Sequence, residues 1–201
     1  MRAGFLVIIS GPSGSGKSTV CRRLRLRDRG LKYSVSCCTR EPRPTEVDGR
    51  DYHFLPVPEF RRMIGKGQFL EWAKVHGNYY GTPRRFIDAA VRRGEVVLLD
   101  IDVQGAAKIR RNTRGAVTIF LFPPSWSALR RRLQLRRDTQ DSMAVRMANA
   151  RGEMRAARHY DFWVVNDKLD MAVRQIEAII ASTKLRAGRP FLKPESLSLG
   201  G

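Results

Sequence analysis

A glycine-rich segment near the beginning of the chain constrains its fold more than any other feature. Residues 11–18 read GPSGSGKS and match the pattern G-x-x-x-x-G-K-[ST] in full. The apolar run Phe5–Ile9 precedes the segment, and a helical pattern follows it. Glycines let the backbone turn its N–H groups inward around an anion, and the positive end of a helix dipole adds to that attraction. The segment therefore predicts a strand, a phosphate-binding loop and a helix in succession.

The rest of the chain alternates between apolar, β-branched runs and longer segments of helical spacing. The predicted strands are Phe5–Ser10, Val96–Asp102, Ala116–Phe122 and Phe162–Val165. The predicted helices are Lys17–Asp28, Gln104–Arg111, Ser125–Leu135, Asp141–His159 and Lys168–Arg186. This alternation favours an α/β fold, in which helices cover both faces of a mainly parallel sheet.

Two regions interrupt the alternation. From Tyr33 to about Gly94, short alternating pieces, turn residues and aromatics indicate a small mixed-sheet insertion rather than a βαβ unit. Between Arg130 and Arg158 the sequence is dense in arginine. The residues after Arg189 predict a loose tail.

The formal net charge of +19 is the unusual feature of the composition. A solvated arginine-rich surface, a cleft that neutralises several phosphates, and a surface for nucleic acid or anionic membranes all account for such a charge. No recognised nucleic-acid reader motif is present, and aromatics are not interleaved with the basic runs. We therefore expect no specific nucleic-acid partner, although weak, salt-sensitive adhesion to RNA stays open.

The composition also bears on the compartment. No stretch approaches the roughly 18 apolar residues of a membrane span, and the first residues do not have the pattern of a signal peptide. The three cysteines form no disulfide framework, and two of them are adjacent. We therefore expect a protein of the reducing cytoplasm with no membrane partner.

Two positions predict a magnesium ion beside the bound phosphates. In the glycine-rich segment, Lys17 is placed to reach the β- and γ-phosphates of a nucleoside triphosphate, and the hydroxyl of Ser18 to ligate Mg²⁺. Val96–Asp100 has the pattern of a buried strand that ends in a carboxylate, so Asp100 is a second candidate ligand, directly or through water. The alternative is that Asp100 caps a helix. These features leave the phosphoryl acceptor open.

A set of motifs within and after the insertion resembles one family. The segments are SVSCCTREPRPTE (34–46), DYHF (51–54), FLEWA (69–73), GNYYGT (77–82) and LDIDVQG (99–105). Together with the phosphate loop they resemble guanylate kinases of the bacterial type, from about Phe5 to Arg186. The resemblance implies a P-loop nucleoside monophosphate kinase fold and transfer of the γ-phosphoryl group of ATP to GMP, giving ADP and GDP, with Mg²⁺. It leaves open whether the protein is a monomer or a homodimer.

The resemblance also implies a division of the chain into parts that close around the substrates. A P-loop core would comprise residues 1–34, 95–125 and 158–188. A GMP-binding insertion would comprise residues 35–94, a helical lid 126–157, and a loose tail 189–201.

The resemblance assigns the acceptor site to the insertion. Arg40 and Arg43 resemble a pair that forks onto the GMP phosphate, since guanidinium groups offer parallel donors to phosphate oxygens. Tyr52 and Tyr80 would add hydroxyl donors, unless they are core aromatics. Glu71 resembles the residue that accepts from guanine N1–H and the exocyclic amine. The other implied GMP-binding residues are Ser36, Glu46, Thr82 and Asp102.

On the ATP side the resemblance implies contacts along the whole loop and from a late strand. The expected ATP-binding residues are Gly11, Pro12, Ser13, Gly14, Ser15, Gly16, Lys17, Ser18, Thr19 and Asn166. Asn166 matches a position beside adenine, and its alternative role is a turn or the N-cap of the last helix.

The arginine-dense segment resembles the family's lid. Arg132, Arg136 and Arg146 match lid arginines that close over the triphosphate and, with Lys17, form the expected catalytic set. The chain departs from the family at Leu135 and Arg137, which replace small glycines. The choice between Arg136 and Arg137 therefore stays open.

Two other functions are compatible with parts of the same motif set: a protein-binding scaffold and a kinase for a different acceptor. Guanylate-kinase-like domains also serve as protein-binding scaffolds, but those typically have damaged phosphate loops, whereas Lys17 and Ser18 are intact here. A P-loop kinase for another phosphorylated acceptor would lack the guanine-reading set of Ser36, Glu71 and Thr82.

Overall fold

The computed structural model of the chain describes residues 4–75, 77–113, 115–135 and 143–186. Its strands are β1 (Phe5–Ser10), β2 (Lys32–Tyr33), β3 (Cys37–Cys38), β4 (His53–Phe54), β5 (Phe69–Val75), β6 (Asn78–Pro83), β7 (Val96–Asp100), β8 (Val117–Phe122) and β9 (Phe162–Val165). Its helices are α1 (Lys17–Arg27), α2 (Val57–Gly65), α3 (Arg84–Arg92), α4 (Val103–Asn112), α5 (Trp126–Gln134), α6 (Met143–Arg155) and α7 (Leu169–Leu185). A 3₁₀ helix, Ala156–His159, follows α6.

A five-stranded parallel sheet in the order β2-β7-β1-β8-β9 forms the centre of the fold. Every residue of β1 is buried, as expected for a parallel strand covered on both faces. Val7 and Ile9 pack against α1 and α7, whereas Leu6 and Ile8 pack against α3 and α4. This alternation follows from the two-residue period of a strand, and it gives the sheet a hydrophobic core on each face.

A second, four-stranded sheet in the order β4-β3-β6-β5 lies between β2 and α3 in the chain. It is mixed, because β3 pairs parallel with β4 but antiparallel with β6. Its own small core is built around Phe60 and Phe69, whose rings stack with centroids 4.4 Å apart. The second sheet is therefore a separate structural unit with its own hydrophobic core.

The predicted α/β fold, with a mainly parallel sheet, flanking helices and a small mixed insertion, is confirmed. The predicted strand Val96–Asp102 is two residues too long, because Asp102 instead caps α4. The predicted helix Asp141–His159 is described from Met143, and its last four residues form the 3₁₀ helix. Three elements of the structure, β2, α2 and α3, were not predicted from the sequence.

The packing of α3 bears on the proposed division of the chain. The helix falls within the predicted insertion, 35–94, yet its buried residues Ile87 and Ala90 contact the central sheet. The boundaries of the three parts remain predictions. The tail, 189–201, lies outside the described residues. Within the described residues, no helix is both long and apolar enough to cross a membrane.

Candidate active site

The phosphate loop connects the end of β1 to the start of α1. Gly11, Gly14 and Gly16 have φ angles of 146°, 85° and 96°, which L-residues with side chains rarely adopt. The ammonium group of Lys17 donates to the carbonyl oxygens of Gly11, at 2.8 Å, and Pro12, at 3.2 Å. The loop is therefore held as a turn whose backbone surrounds the first residue of α1.

The two predicted magnesium ligands lie together. Because β1 and β7 are parallel neighbours, with Ile9 opposite Asp100, the Asp100 carboxylate lies beside the start of α1. The Ser18 hydroxyl donates to Asp100 Oδ2 at 2.7 Å. Asp100 is not a helix cap, since the N-cap of α4 is Asp102. The hydroxyl and the carboxylate are the hard oxygen ligands that Mg²⁺ takes beside a nucleotide.

Side chains from α5 and the end of β9 hold the outer side of the phosphate loop. The amide of Asn166 donates to the carbonyl oxygen of Ser15 at 2.8 Å. The guanidinium of Arg132 donates to the same oxygen at 3.2 Å and to the carbonyl oxygen of Asn166 at 3.1 Å. Asn166 does not cap α7, whose N-cap is Lys168.

A cavity of about 320 Å³ opens between the loop and these side chains. Its lining residues are Gly14, Gly16, Thr19, Arg132, Asn166, Asp167 and Leu169. Four of the predicted ATP-binding residues and one predicted catalytic arginine therefore border the same cavity. Arg146 lies on α6 and is partly buried, whereas Arg136 and Arg137 lie outside the described residues.

The two predicted acceptor arginines converge on one carboxylate. Arg40 makes a two-pronged contact with Glu46, at 2.6 and 2.7 Å, and Arg43 donates to it from its backbone N–H at 3.0 Å and its side chain at 3.3 Å. Burial acts to raise the pKa of Glu46, but the hydrogen bonds and charges of both arginines outweigh it and lower the pKa. Glu46 therefore faces the arginines as a carboxylate.

Tyr52 and Tyr80 lie beside Arg40. Their ring centroids are 6.1 Å apart, edge to face, and the Arg40 guanidinium lies 5.0 Å from the centre of the Tyr52 ring. Both side chains are partly buried, and burial raises the pKa of each hydroxyl. The hydroxyls therefore stay protonated near neutral pH, as hydrogen-bond donors must.

Glu71 is a buried carboxylate in the middle of β5, with only 7% of its surface exposed. In the antiparallel register of β5 and β6 it lies opposite Thr82, whose hydroxyl donates to Glu71 Oε1 at 2.6 Å. Burial raises the pKa of Glu71 to about 7; the Thr82 hydrogen bond and the Lys108 charge lower it, and the Asp102 charge raises it. The group is thus balanced between its neutral and charged forms in the free protein.

The remaining predicted acceptor residues flank this carboxylate. Asp102 accepts from the backbone N–H groups of Gln104, at 2.7 Å, and Gly105, at 3.0 Å. Ser36 immediately precedes β3, in the same sheet as Glu71, and its carbonyl accepts from the His53 N–H. The predicted acceptor residues come from three places: β5 and β6 (Glu71, Tyr80 and Thr82), the chain around β3 and up to β4 (Ser36, Arg40, Arg43, Glu46 and Tyr52), and the N-cap of α4 (Asp102).

Lys108 is a further charged residue near Glu71 that was not predicted from the sequence. Its ammonium donates to the backbone carbonyl of Trp72 and lies close enough to Glu71 to act on its pKa. The helical pattern of α4 alone does not tell which sheet that helix contacts, so no sequence signal identifies this pairing.

A glycine-rich loop at the end of a central parallel strand, together with a second sheet next to which two arginines converge on one carboxylate, is typical of the class of P-loop nucleoside monophosphate kinases. Comparison with known proteins identifies the family. The family model described as guanylate kinase matches residues 4–183. The chain belongs to the guanylate kinase family, and the resemblance found in its motifs is confirmed.

Individual relatives agree with this assignment. The guanylate kinase of Symbiobacterium thermophilum is 45% identical to this chain over 92% of the chain and 89% of its own length. That of Geobacter metallireducens is 44% identical over 94% and 93%. A crystal structure of guanylate kinase from Anaplasma phagocytophilum matches with a TM-score of 0.81 at 33% identity, over 94% of this chain and 90% of that one.

Proposed function

We propose that this chain is an ATP:GMP phosphotransferase of purine nucleotide metabolism, which converts ATP and GMP into ADP and GDP. The observation that carries the specificity for guanine is the buried carboxylate of Glu71 on β5, in the sheet whose β3–β4 segment carries the arginine pair. A buried carboxylate needs hydrogen-bond donors, and guanine offers two of them side by side.

Guanine recognition follows from the donor pattern of its edge. The N1–H and the exocyclic amine match the two oxygens of Glu71, whereas adenine presents an acceptor at N1 and would leave the carboxylate poorly paired. A site built to hydrogen-bond its substrate can reject an analogue that lacks the partner by about 10⁴-fold or more. When guanine donates to Glu71, the Thr82 hydroxyl, which has only one proton, would turn from Glu71 and donate to guanine O6. The Ser36 hydroxyl would face the same oxygen.

The GMP phosphate is assigned to the arginine pair and the two tyrosines. Glu46 already occupies the two terminal nitrogens of Arg40, but Arg40 Nε is buried and has no hydrogen-bond partner among the described residues. Because a carboxylate and a phosphate repel each other, we assign Glu46 a supporting role: it orients both guanidinium groups toward the anion. Tyr52 and Tyr80 would donate their hydroxyls to the same phosphate.

The ATP phosphates are assigned to the loop. The backbone of residues 11–16 and the start of α1 favour a bound anion, and Lys17 is within reach of the β- and γ-phosphates. Ser18 and Asp100 would hold Mg²⁺, which, when bound, neutralises charge on those phosphates. No general base is needed, because the acceptor is itself a phosphate anion.

The lid arginines are assigned to the charge on the transferred group. Phosphoryl transfer is mostly positioning and neutralisation, so arginines near the triphosphate act on the rate directly. Arg132 borders the cavity beside the loop and Arg146 lies on the neighbouring helix α6. Arg136 remains the predicted third member.

We infer a cytoplasmic location from the thiols. Cys21, Cys37 and Cys38 are all free and buried, and burial raises the pKa of the Cys37 thiol to about 12. Protonated, buried thiols pack as small apolar groups and fit a reducing compartment.

A coupled assay of ADP release tests the proposed function. The purified chain is given ATP, Mg²⁺ and one of GMP, dGMP, AMP, CMP or UMP. We expect kcat/KM for GMP to exceed that for AMP by about 10⁴-fold or more. Comparable activity with AMP would contradict the guanine assignment, and no ADP release with any acceptor would favour a scaffold.

A further inference from the structure

Gly105, in the first turn of α4, lies directly against the carboxylate of Glu71. A Cβ atom placed on Gly105 in ideal geometry would lie 2.8 Å from Glu71 Oε2, 3.0 Å from Cδ and 3.3 Å from Oε1. Carbon atoms do not approach a neighbour closer than about 3 Å without displacing it. The carboxylate therefore occupies the space that any other residue at position 105 would fill with its side chain.

The backbone of α4 gives no reason for a glycine at this position. Gly105 is part of a regular helix, and its N–H is bound by Asp102 as the N–H of any residue would be. Within a helix, alanine is more favourable than glycine by about 1 kcal/mol. The glycine therefore lowers the stability of the helix, and the contact with Glu71 is the feature that requires it.

The carboxylate of Glu71 is held from the other side as well. Thr82, on β6, donates to Glu71 Oε1, and Glu71 is almost completely buried. One turn after Gly105, Lys108 donates to the carbonyl of Trp72, the residue after Glu71, and so ties α4 to β5. The space for the carboxylate thus lies between a hydroxyl on β6 and the bare backbone of α4.

We infer that Gly105 is a specificity-determining positioning residue: its missing side chain sets where Glu71 presents its two oxygens to guanine. This inference rests on the proposed function. The atoms that a methyl at position 105 would displace belong to the terminal carboxylate of Glu71 and not to the backbone, so the fold can accommodate the change by moving that group. Displacement of the carboxylate would then weaken the binding of the base.

Gly105→Ala tests the inference, with Gly65→Ala as the matched control. Gly65 is the last residue of helix α2, and among the described residues no atom beyond its own chain neighbours and helix backbone lies within 4 Å of where its Cβ would be. For Gly105→Ala we expect kcat/KM for GMP to fall about tenfold or more, mainly through KM. The KM for ATP should change by less than about twofold, and Tm should not fall. Gly65→Ala should match the unsubstituted chain.

Inosine monophosphate adds a readout that a general structural defect would not change. It keeps N1–H but lacks the exocyclic amine, so only GMP uses both oxygens of Glu71. We expect the preference for GMP over inosine monophosphate to narrow in Gly105→Ala. An unchanged preference, or a fall in Tm with equal losses for ATP and GMP, would overturn the inference.

A double-mutant cycle shows whether Gly105 acts through Glu71. In a Glu71→Ala background no carboxylate remains to be displaced, so adding Gly105→Ala should change kcat/KM for GMP by less than about twofold. If Gly105→Ala lowered kcat/KM for GMP in this background as much as it does in the unsubstituted chain, the inference would be contradicted. If the unsubstituted chain phosphorylates GMP and Gly105→Ala equals it, only the inference fails; if the unsubstituted chain has no activity with GMP, the proposed function fails.

Discussion

The phosphate loop and the proposed acceptor pocket are both assigned to phosphate groups, but they are built from different parts of the chain. The loop uses backbone groups within one short segment, 11–16, supported by the first residues of α1. The pocket uses side chains from β5, β6, the segment between β3 and β4, and the start of α4.

The two regions also differ in how their charges are satisfied. Lys17 donates to carbonyl oxygens of its own loop, whereas Arg40 pairs with Glu46 across a loop, and Glu71 pairs with Thr82 across two strands. A site made of backbone groups can bind any polyphosphate, since it offers N–H groups and no base-specific pattern. A side-chain site can match one base. If the proposed assignments hold, the general chemistry and the specificity of this enzyme lie in separate structural units.

Substitution of Lys17 should give the largest effect. For Lys17→Ala we expect kcat to fall about 10³-fold or more, because an ammonium that offsets charge on the transferred phosphoryl group is lost. Steady-state rates of ADP release with saturating GMP measure this. Lys66→Ala, at an exposed position after α2, is the matched control. A kcat for Lys17→Ala within tenfold of the control would contradict the assignment of the loop.

Substitution of Arg40 separates phosphate binding from base recognition within the pocket. Arg40→Ala removes charge-assisted hydrogen bonds worth about 1.5–3 kcal/mol each, so we expect the KM for GMP to rise about 10²-fold. The preference for GMP over AMP should persist, because Glu71 is untouched. Arg92→Ala, at an exposed position on α3, is the control. Loss of base preference in Arg40→Ala would show that the two functions are not separable.

The pH dependence of GMP binding should report the state of Glu71. When Glu71 is protonated, its O–H group would face the N–H groups of guanine, and two donors cannot pair. Glu71 must therefore lose its proton when GMP binds. With a pKa of about 7 in the free protein, we expect affinity to fall about tenfold from about pH 8 to pH 6. Calorimetric titrations of the unsubstituted chain and Glu71→Gln measure this. The phosphate of GMP titrates in both proteins, so an identical pH dependence would contradict the role of Glu71.

The smallest effect should come from the outer side of the loop. Asn166→Ala removes one neutral hydrogen bond to the Ser15 carbonyl, worth about 0.5–1.5 kcal/mol. We expect the KM for ATP to rise about fivefold, with the KM for GMP unchanged. A larger change for GMP than for ATP would show that the two regions are coupled more tightly than their separate construction suggests.

The same contrast explains what the sequence could predict. The loop was identified from its own residues, because a turn with positive φ angles needs glycines at fixed spacing, and the long buried strands of the central sheet have strong patterns. The strands β2, β3 and β4 have two residues each, which is too short for periodicity to register.

The acceptor pocket could not be assembled from local patterns. Glu71 and Thr82 are paired by the register of two strands, and the charge of Lys108 acts on Glu71 only because α4 packs beside β5. Such contacts depend on tertiary structure, so the pocket residues were predicted from the family resemblance and not from spacing. Asp102 shows the same limit: the apolar run suggested a strand through residue 102, but its carboxylate caps a helix.

A crystal structure of the chain with GMP and an unreactive ATP analogue would test the assignment of Glu71 to guanine most directly. We expect both Glu71 oxygens to lie about 3 Å from guanine N1 and the exocyclic nitrogen, with the GMP phosphate on Arg40 and Arg43. A complex in which the base lies elsewhere while Glu71 keeps Thr82 as its partner would contradict this assignment.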